Sequence, residues 1–399
     1  MRLRPYLLLL VVSLPLWTLG RWLRGGESLL AHNPIDQHTR QARAWLVGRI
    51  DLPRPPEDLL EIAQYHGRYY DSFPPTPSIV EVPLVLVFGT RKTPSGLAVY
   101  AFCYLALAAQ YAALRRRGYS TGSAIATPLA FLFGTNVYAS CTLATVWGYG
   151  QALGYALATM GACLVLLNPR RGLLGPAAGY VLLSLAVGCR PLLVLFGPMF
   201  VVLDHRTNGT RLGRALVRAA LGMAPVLLAL ALYNWARFDN PLEFGHNYLP
   251  WAEELPHGIF SLHYLPWNAY HAFLHMPQWG WEWPYLRFDT LGTAFWLDNG
   301  VLVLAMAALF RAGALDAAVR WTSAATLLLI LVGVLMYEST GNRQFGARYF
   351  IDLLPGAFAV FALAYKRFDR WALALSGVSF AINLYGLAVW HQLVLLQPE

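Results

Sequence analysis

Long, predominantly apolar stretches recur from one end of this 399-residue chain to the other. A helix needs about 20 mostly apolar residues to cross the hydrocarbon core of a bilayer. Only elements that satisfy their own backbone hydrogen bonds survive there, and for open chain that means helices. The stretches near residues 6–19, 95–114, 124–141, 147–167, 173–188, 192–203, 216–236, 292–310, 321–337, 352–365 and 371–390 therefore predict an all-α polytopic membrane protein in a single domain over 1–399. About 11 transmembrane helices are expected, within a range of about 9–13. Composition agrees: 57% of residues are hydrophobic and 13% charged, against about 25% charged in soluble domains. Soluble enzymes and disordered chains are excluded. The first stretch, after Arg2 and Arg4, lacks a clear small-residue cleavage site and reads as a retained helix rather than a signal peptide.

The net charge of +9 invites a polyanionic partner, but no basic stripe on a polar domain supports nucleic-acid binding. Its distribution has another meaning. With the N-terminus in the cytoplasm, the inner segments hold 16 bases, among them Arg115–Arg117, Arg170, Arg171, Arg206, Arg311 and Arg367, against Asp204, Asp316 and Asp369. That makes +13 inside and −4 outside, the asymmetry expected of a multi-pass protein of an inner or plasma membrane. Two long loops, 20–94 and 237–291, then face outward, and every inner loop is short. No inner segment could house a nucleotide-binding domain. The one approximate phosphate-loop pattern, Gly148-Tyr-Gly150 to Gly154, opens a membrane helix, where small residues serve close packing. Cys103, Cys141, Cys163 and Cys189 lie in apolar runs and form no disulfide or zinc pattern.

In the first loop, Asn33-Pro34-Ile35-Asp36 is a helix-start signal, so Asp36 reads first as a helix cap. Ala42, Trp45, Leu46 and Ile50 suggest an amphipathic helix at the membrane interface. His66, Arg68, Tyr69, Tyr70 and Asp71 follow, then Pro74-Pro75 and an apolar piece, 78–89, too short to span. Arg190 interrupts an apolar stretch, where charge is costly and usually functional. Between Tyr233 and Trp296 lie 18 aromatic residues, which read as an interfacial belt. His271 and His275 have a metal-compatible i, i+4 spacing, with His263 nearby. No carboxylate stands at a diagnostic spacing, so an interfacial helix is the preferred reading and no metal ligand is assigned.

Taken in order, five pieces resemble the integral-membrane GT-C glycosyltransferases, in particular the bacterial relatives of protein O-mannosyltransferases and aminoarabinose transferases (family 39-like). They are Pro34-Ile35-Asp36; Gly67-Arg68-Tyr69-Tyr70 with Pro74-Pro75; Arg190-Pro191; Tyr233-Asn234 through Pro241, Glu243, Phe244 and Gly245; and Phe345-Gly346-Ala347-Arg348-Tyr349 with Leu354-Pro355. The resemblance implies a GT-C-like fold and transfer of a sugar from a polyprenyl-phosphate carrier to an acceptor hydroxyl on the outer face, with inversion. Asp36 inherits the role of catalytic base. Arg190, Arg343 and Arg348 become candidates for the donor phosphate, since a guanidinium matches phosphate geometry and stays charged. His66, Arg68, Tyr69, Tyr70, Asp71, Glu243 and His246 become candidate substrate contacts. Relatives often carry a second acid or a histidine where this chain reads Trp147-Gly148-Tyr149-Gly150-Gln151. The expected partners are the bilayer, the lipid-linked donor, and a glycan, lipid or protein acceptor. No cofactor is assigned beyond the polyprenyl-phosphate sugar as donor substrate, and a divalent metal stays an open alternative. Competing readings are a transporter or flippase of a lipid-linked intermediate and a catalytically silent lipid-binding relative.

Overall fold

A computed structural model describes residues 3–32, 35–53, 61–167, 174–341 and 343–395. Arg2, Asn33, Pro34, Arg170, Arg171 and Leu173, used in the readings above, lie outside the described residues.

The chain is a helix bundle with two small hairpins. In order it forms α1 (Arg4–Gly25), α2 (Gln37–Leu46), strands β1 (Ile62–Tyr65) and β2 (Arg68–Asp71), α3 (Thr76–Phe88), α4 (Ser95–Arg116), α5 (Thr121–Phe133), α6 (Asn136–Cys141), α7 (Val146–Leu167) and α8 (Leu174–Val187). There follow α9 (Phe196–Asn208), α10 (Leu212–Phe238), α11 (Leu265–Phe273), α12 (Phe295–Asp298), α13 (Gly300–Phe310), α14 (Ala317–Leu335), α15 (Leu354–Ala364) and α16 (Arg370–Leu395). The second hairpin pairs Gln278–Trp279 with Leu286–Arg287.

Among the described residues, six helices are long and apolar enough to cross a membrane: α1, α4, α7, α10, α14 and α16. These six do not confirm the expected count of about 11. The other five predicted spans are short or broken. The stretch 124–141 divides at Gly134–Thr135 into α5 and α6, and 292–310 divides at Asn299 into α12 and α13. The 192–203 and 352–365 stretches begin as 3-10 turns, Pro191–Leu195 and Arg348–Leu353. A hydropathy run cannot report such breaks, because apolar side chains continue through them.

α7 is the central helix, with 83% of its apolar window buried against 22% for α10. It packs on α4, α8 and α15. Its small residues allow close approach: a Cβ at Gly161 would come within 2.7 Å of the Gly179 carbonyl on α8, and one at Gly148 within 2.8 Å of the Ser140 carbonyl on α6, so the glycine pattern serves packing as expected. α10 instead exposes Leu216, Leu221, Leu228 and Leu232, the lipid-facing surface of a multi-pass membrane protein.

The bundle has two chemically different ends. At one, Arg116 donates to the Leu167 carbonyl, Arg206 meets Asp316 at 3.2 Å, and Arg218 reaches both Asp204 oxygens at 2.9 Å. These are segments that the charge distribution assigns to one side. At the other end, α2, the β1–β2 hairpin and α3 form a cap over the ends of α4, α7, α8 and α10. α2 differs from the expected interfacial stripe. It ends at Leu46, so Ile50 is not on it, and it buries Gln37, His38, Thr39 and Gln41 as well as Ala42 and Ala44. Its polar face therefore points into the protein.

Candidate functional site

Asp36 caps α2: its Oδ1 accepts from the backbone N–H of His38 (3.0 Å) and Thr39 (3.3 Å). That leaves Oδ2, which accepts from the Ser95 hydroxyl at 3.0 Å at the start of α4. The residue is only 2% exposed. A second carboxyl faces the same hydroxyl. Glu81, fully buried on α3, has Ser95 and the Tyr149 hydroxyl opposite it. Neither Glu81 oxygen makes a hydrogen bond of normal geometry. Burial raises the pKa of both acids; Asp36 opposes ionisation of Glu81, while His38, Ser95 and Thr39 draw Asp36 back.

His38 joins this pair to Asp71. Its Nδ1 lies 3.4 Å from Asp71 Oδ2, and its Nε2 contacts the Val146 carbonyl at 3.2 Å. Burial disfavours the imidazolium, but the hydrogen bond and charge of Asp71, with Asp36, outweigh it and raise the histidine's pKa. Asp71 is itself held by the sequence around it, its Oδ1 accepting from Phe73 N–H at 3.1 Å and its carbonyl accepting from Arg237 at 2.8 Å.

Beyond Phe73 the acids give way to guanidinium groups. The His246 ring stands 5.7 Å from Phe73. Burial, with Arg190 and Arg237 nearby, pushes its pKa down to about 4, so it is a neutral imidazole at pH 7. Arg190 grips Asp352 through Nε (3.1 Å) and a terminal nitrogen (2.9 Å). Tyr349 lies between two cations, Arg190 and Arg348, each 5.2 Å from its ring centre. The Arg348 Nε is buried without a hydrogen bond, and among the described residues Arg348 forms no ion pair. Of the candidate arginines, Arg190 is thus occupied by a carboxylate and Arg348 is the more available for an anion.

Glu61, before β1, faces this end too. Its Oε1 accepts from the Trp147 indole at 2.8 Å. Burial pushes its pKa up to about 7, with Trp147 and Arg348 opposing. Such a group binds its proton more tightly folded than unfolded, so its stabilising contribution is complete below about 4.5 and is lost as pH rises to about 7. About 3 kcal/mol is involved. The melting temperature is expected to fall between about pH 5 and about pH 7.5, and Glu61→Gln to flatten that fall. Equal slopes for the two proteins would contradict this.

The segment carrying Arg348 is fixed from below. Asn136 donates to both Asp298 and the Phe345 carbonyl, and Asn299 donates to Asp298 at 2.8 Å. Gly346, at φ +65°, lies directly over this network, and a Cβ there would overlap the Asp298 carboxylate. Gly346→Ala is therefore expected to cost on the order of 3 kcal/mol or more. Thermal melting in detergent would measure it, and a wild-type midpoint would refute it.

The remaining candidates fall elsewhere. His66 in the β1–β2 turn and Arg68 just after it are exposed, His66 stacking on Tyr65 and standing 4.0 Å from Asp239. Tyr69 packs beside Ala44, Leu52 and Ile62, and Tyr70 beside Ala63 and Phe238. Glu243 accepts from the Gly245 backbone at 2.5 Å and orders its own loop near His246. Arg343 is exposed, at φ +45°.

The sequence matches no protein-family profile and no curated protein. Its structure is similar to the crystal structure of ArnT from Cupriavidus metallidurans bound to undecaprenyl phosphate, with a TM-score of 0.53 and 16% identity. The chain shares the fold of ArnT. The match covers 96% of this chain and 64% of that one, so this chain spans less than two thirds of its neighbour's length. The same ArnT in its apo state gives a TM-score of 0.49 at 17% identity over 89% of this chain and 59% of that one. The expected resemblance holds at the level of the fold alone.

Sequence reasoning missed Glu81, Glu61, His38, Tyr349 and Asp352. Glu81 had a readable signal, as the one acid in the apolar piece 78–89. Tyr349 stood in the Phe345–Tyr349 piece without a role assigned to it, and Glu61, His38 and Asp352 carried no signal.

Proposed function

We propose that the chain transfers a sugar from a polyprenyl-phosphate carrier to an acceptor hydroxyl, with the site on the outer face of the membrane. The observation that carries the reading is the arrangement just described: buried acids Asp36 and Glu81 at one side, Arg190 and Arg348 at the other, on the fold of ArnT. Asp36 Oδ2 takes the proton of the acceptor hydroxyl, helped by a pKa that burial raises. The acceptor oxygen attacks the anomeric carbon, and the lipid phosphate leaves with the bonding pair. Arg348, with Arg190 behind Tyr349, stabilises the charge that grows on that phosphate. Undecaprenyl phosphate in the similar ArnT structure supports a carrier of this class.

The test supplies radiolabelled polyprenyl-phosphate sugar to the purified chain in lipid vesicles, with envelope extract as the acceptor source. Labelled product is expected. Movement of the lipid across the vesicle without any product would favour the transporter reading instead.

A further inference from the structure

α11 and the residues just after it bring two imidazoles together, with the rings of His271 and His275 4.7 Å apart. The carboxylate that sequence spacing did not reveal arrives from beyond the second hairpin. Asp289 Oδ2 lies 3.3 Å from His275 Nε2, and one ligand atom from each of the three residues lies within 4.8 Å of the others. A simple ion pair would need only His275 and Asp289. It would leave His271 poorly explained: this ring is 4% exposed, and its nitrogens make no hydrogen bond of normal geometry, only a loose approach to the Gly292 backbone. Burying an unsatisfied polar group is costly, so each such group in a folded protein calls for a partner. The ring borders a small cavity that Thr340, Gln344 and Tyr349 also line.

We propose that His271, His275 and Asp289 bind a zinc-class divalent ion through three protein ligands, leaving one coordination position open. Two imidazoles and a carboxylate suit zinc and its neighbours, whereas magnesium and calcium favour all-oxygen sets. Bonds of about 2.0–2.2 Å in a tetrahedron place ligand atoms about 3.3 Å apart, the spacing His275 and Asp289 already have. His271 completes the set by a small side-chain shift. Asp289 is held for this task, its Oδ1 accepting from Leu291 N–H at 2.8 Å. The ion would fasten α11 to the Asp289–Gly292 turn. That turn accepts from Gln344 at Thr290 and Leu291 (2.9 Å each), and Gln344 Oε1 in turn accepts from Arg348 N–H at 3.0 Å. The site thus braces the segment carrying Arg348, and metal binding itself does not depend on the transferase reading.

The full chain, purified in detergent without a histidine tag, is stripped with a chelator and reloaded with Zn2+ or Co2+. About one ion per chain, a higher melting temperature with Zn2+, and the intense visible bands of four-coordinate Co2+ are expected. His275→Ala and Asp289→Asn should each weaken Zn2+ binding more than about 100-fold, because losing a mere supporting partner already costs about 10–100-fold. The metal-free variants should melt close to the metal-free wild type. No ion above background, a six-coordinate Co2+ spectrum, or unchanged Zn2+ affinity in both variants would overturn the proposal and leave a His–Asp ion pair only. The Co2+ spectrum needs wild type alone, so it decides the question even if a variant fails to fold.

Discussion

Asp36→Asn is expected to lower sugar transfer by about 10²–10⁴-fold, the range that a positioned general base supplies. The substitution separates two functions that the structure joins in one side chain. Oδ1 caps α2 and Oδ2 faces Ser95. Asparagine caps a helix about as well as aspartate, so α2 and the melting temperature should survive while the ionisable oxygen is lost. Asp36→Ala, by contrast, also costs about 1 kcal/mol of capping. A transfer rate for Asp36→Asn within a few-fold of wild type would remove Asp36 from the chemistry. Glu81 then becomes the acid to examine, since it faces the same Ser95 hydroxyl.

Arg348→Gln is expected to lower transfer by about 10²–10³-fold, the loss seen when one preorganised donor to a developing negative charge is removed. The effect should fall mainly on kcat. The larger response belongs to Arg348 rather than Arg190, because Arg190 already spends its fork on Asp352. Arg190→Lys should act mostly through position, since lysine cannot reproduce a two-point grip on a carboxylate. Comparable losses for Arg343→Gln and Arg348→Gln would contradict this ranking, because Arg343 is exposed.

Several site residues were legible because their signal is local. Asp36 followed from a helix-start pattern, and Arg190 from a charge stranded in apolar sequence. Asp71 and His246 stood out with their loops but could not be given partners. His66 and Arg68 shared the same motif as Asp71, yet the hairpin turn places them at the exposed tip while the strand carries Asp71 inward. A strand alternates its faces, and sequence alone does not say where the turn lies. The same limit applied to His271 and His275. Their spacing was visible, but Asp289 stands beyond a hairpin, and no helical period reaches across it.

The sequence by itself determined that this is a mostly helical chain with apolar spans and an uneven distribution of charge; the two short hairpins were not foreseen. Hydropathy and charge act residue by residue, so they can be read along the chain. The tertiary structure decided which spans are broken, that six helices among those described are long enough to cross, and that α2 turns its polar face inward. It also decided the site, where Asp36, Glu81, Ser95 and Tyr149 meet from four separate elements. Burial and mutual approach set the properties of those groups, and both come from packing between segments far apart in the chain.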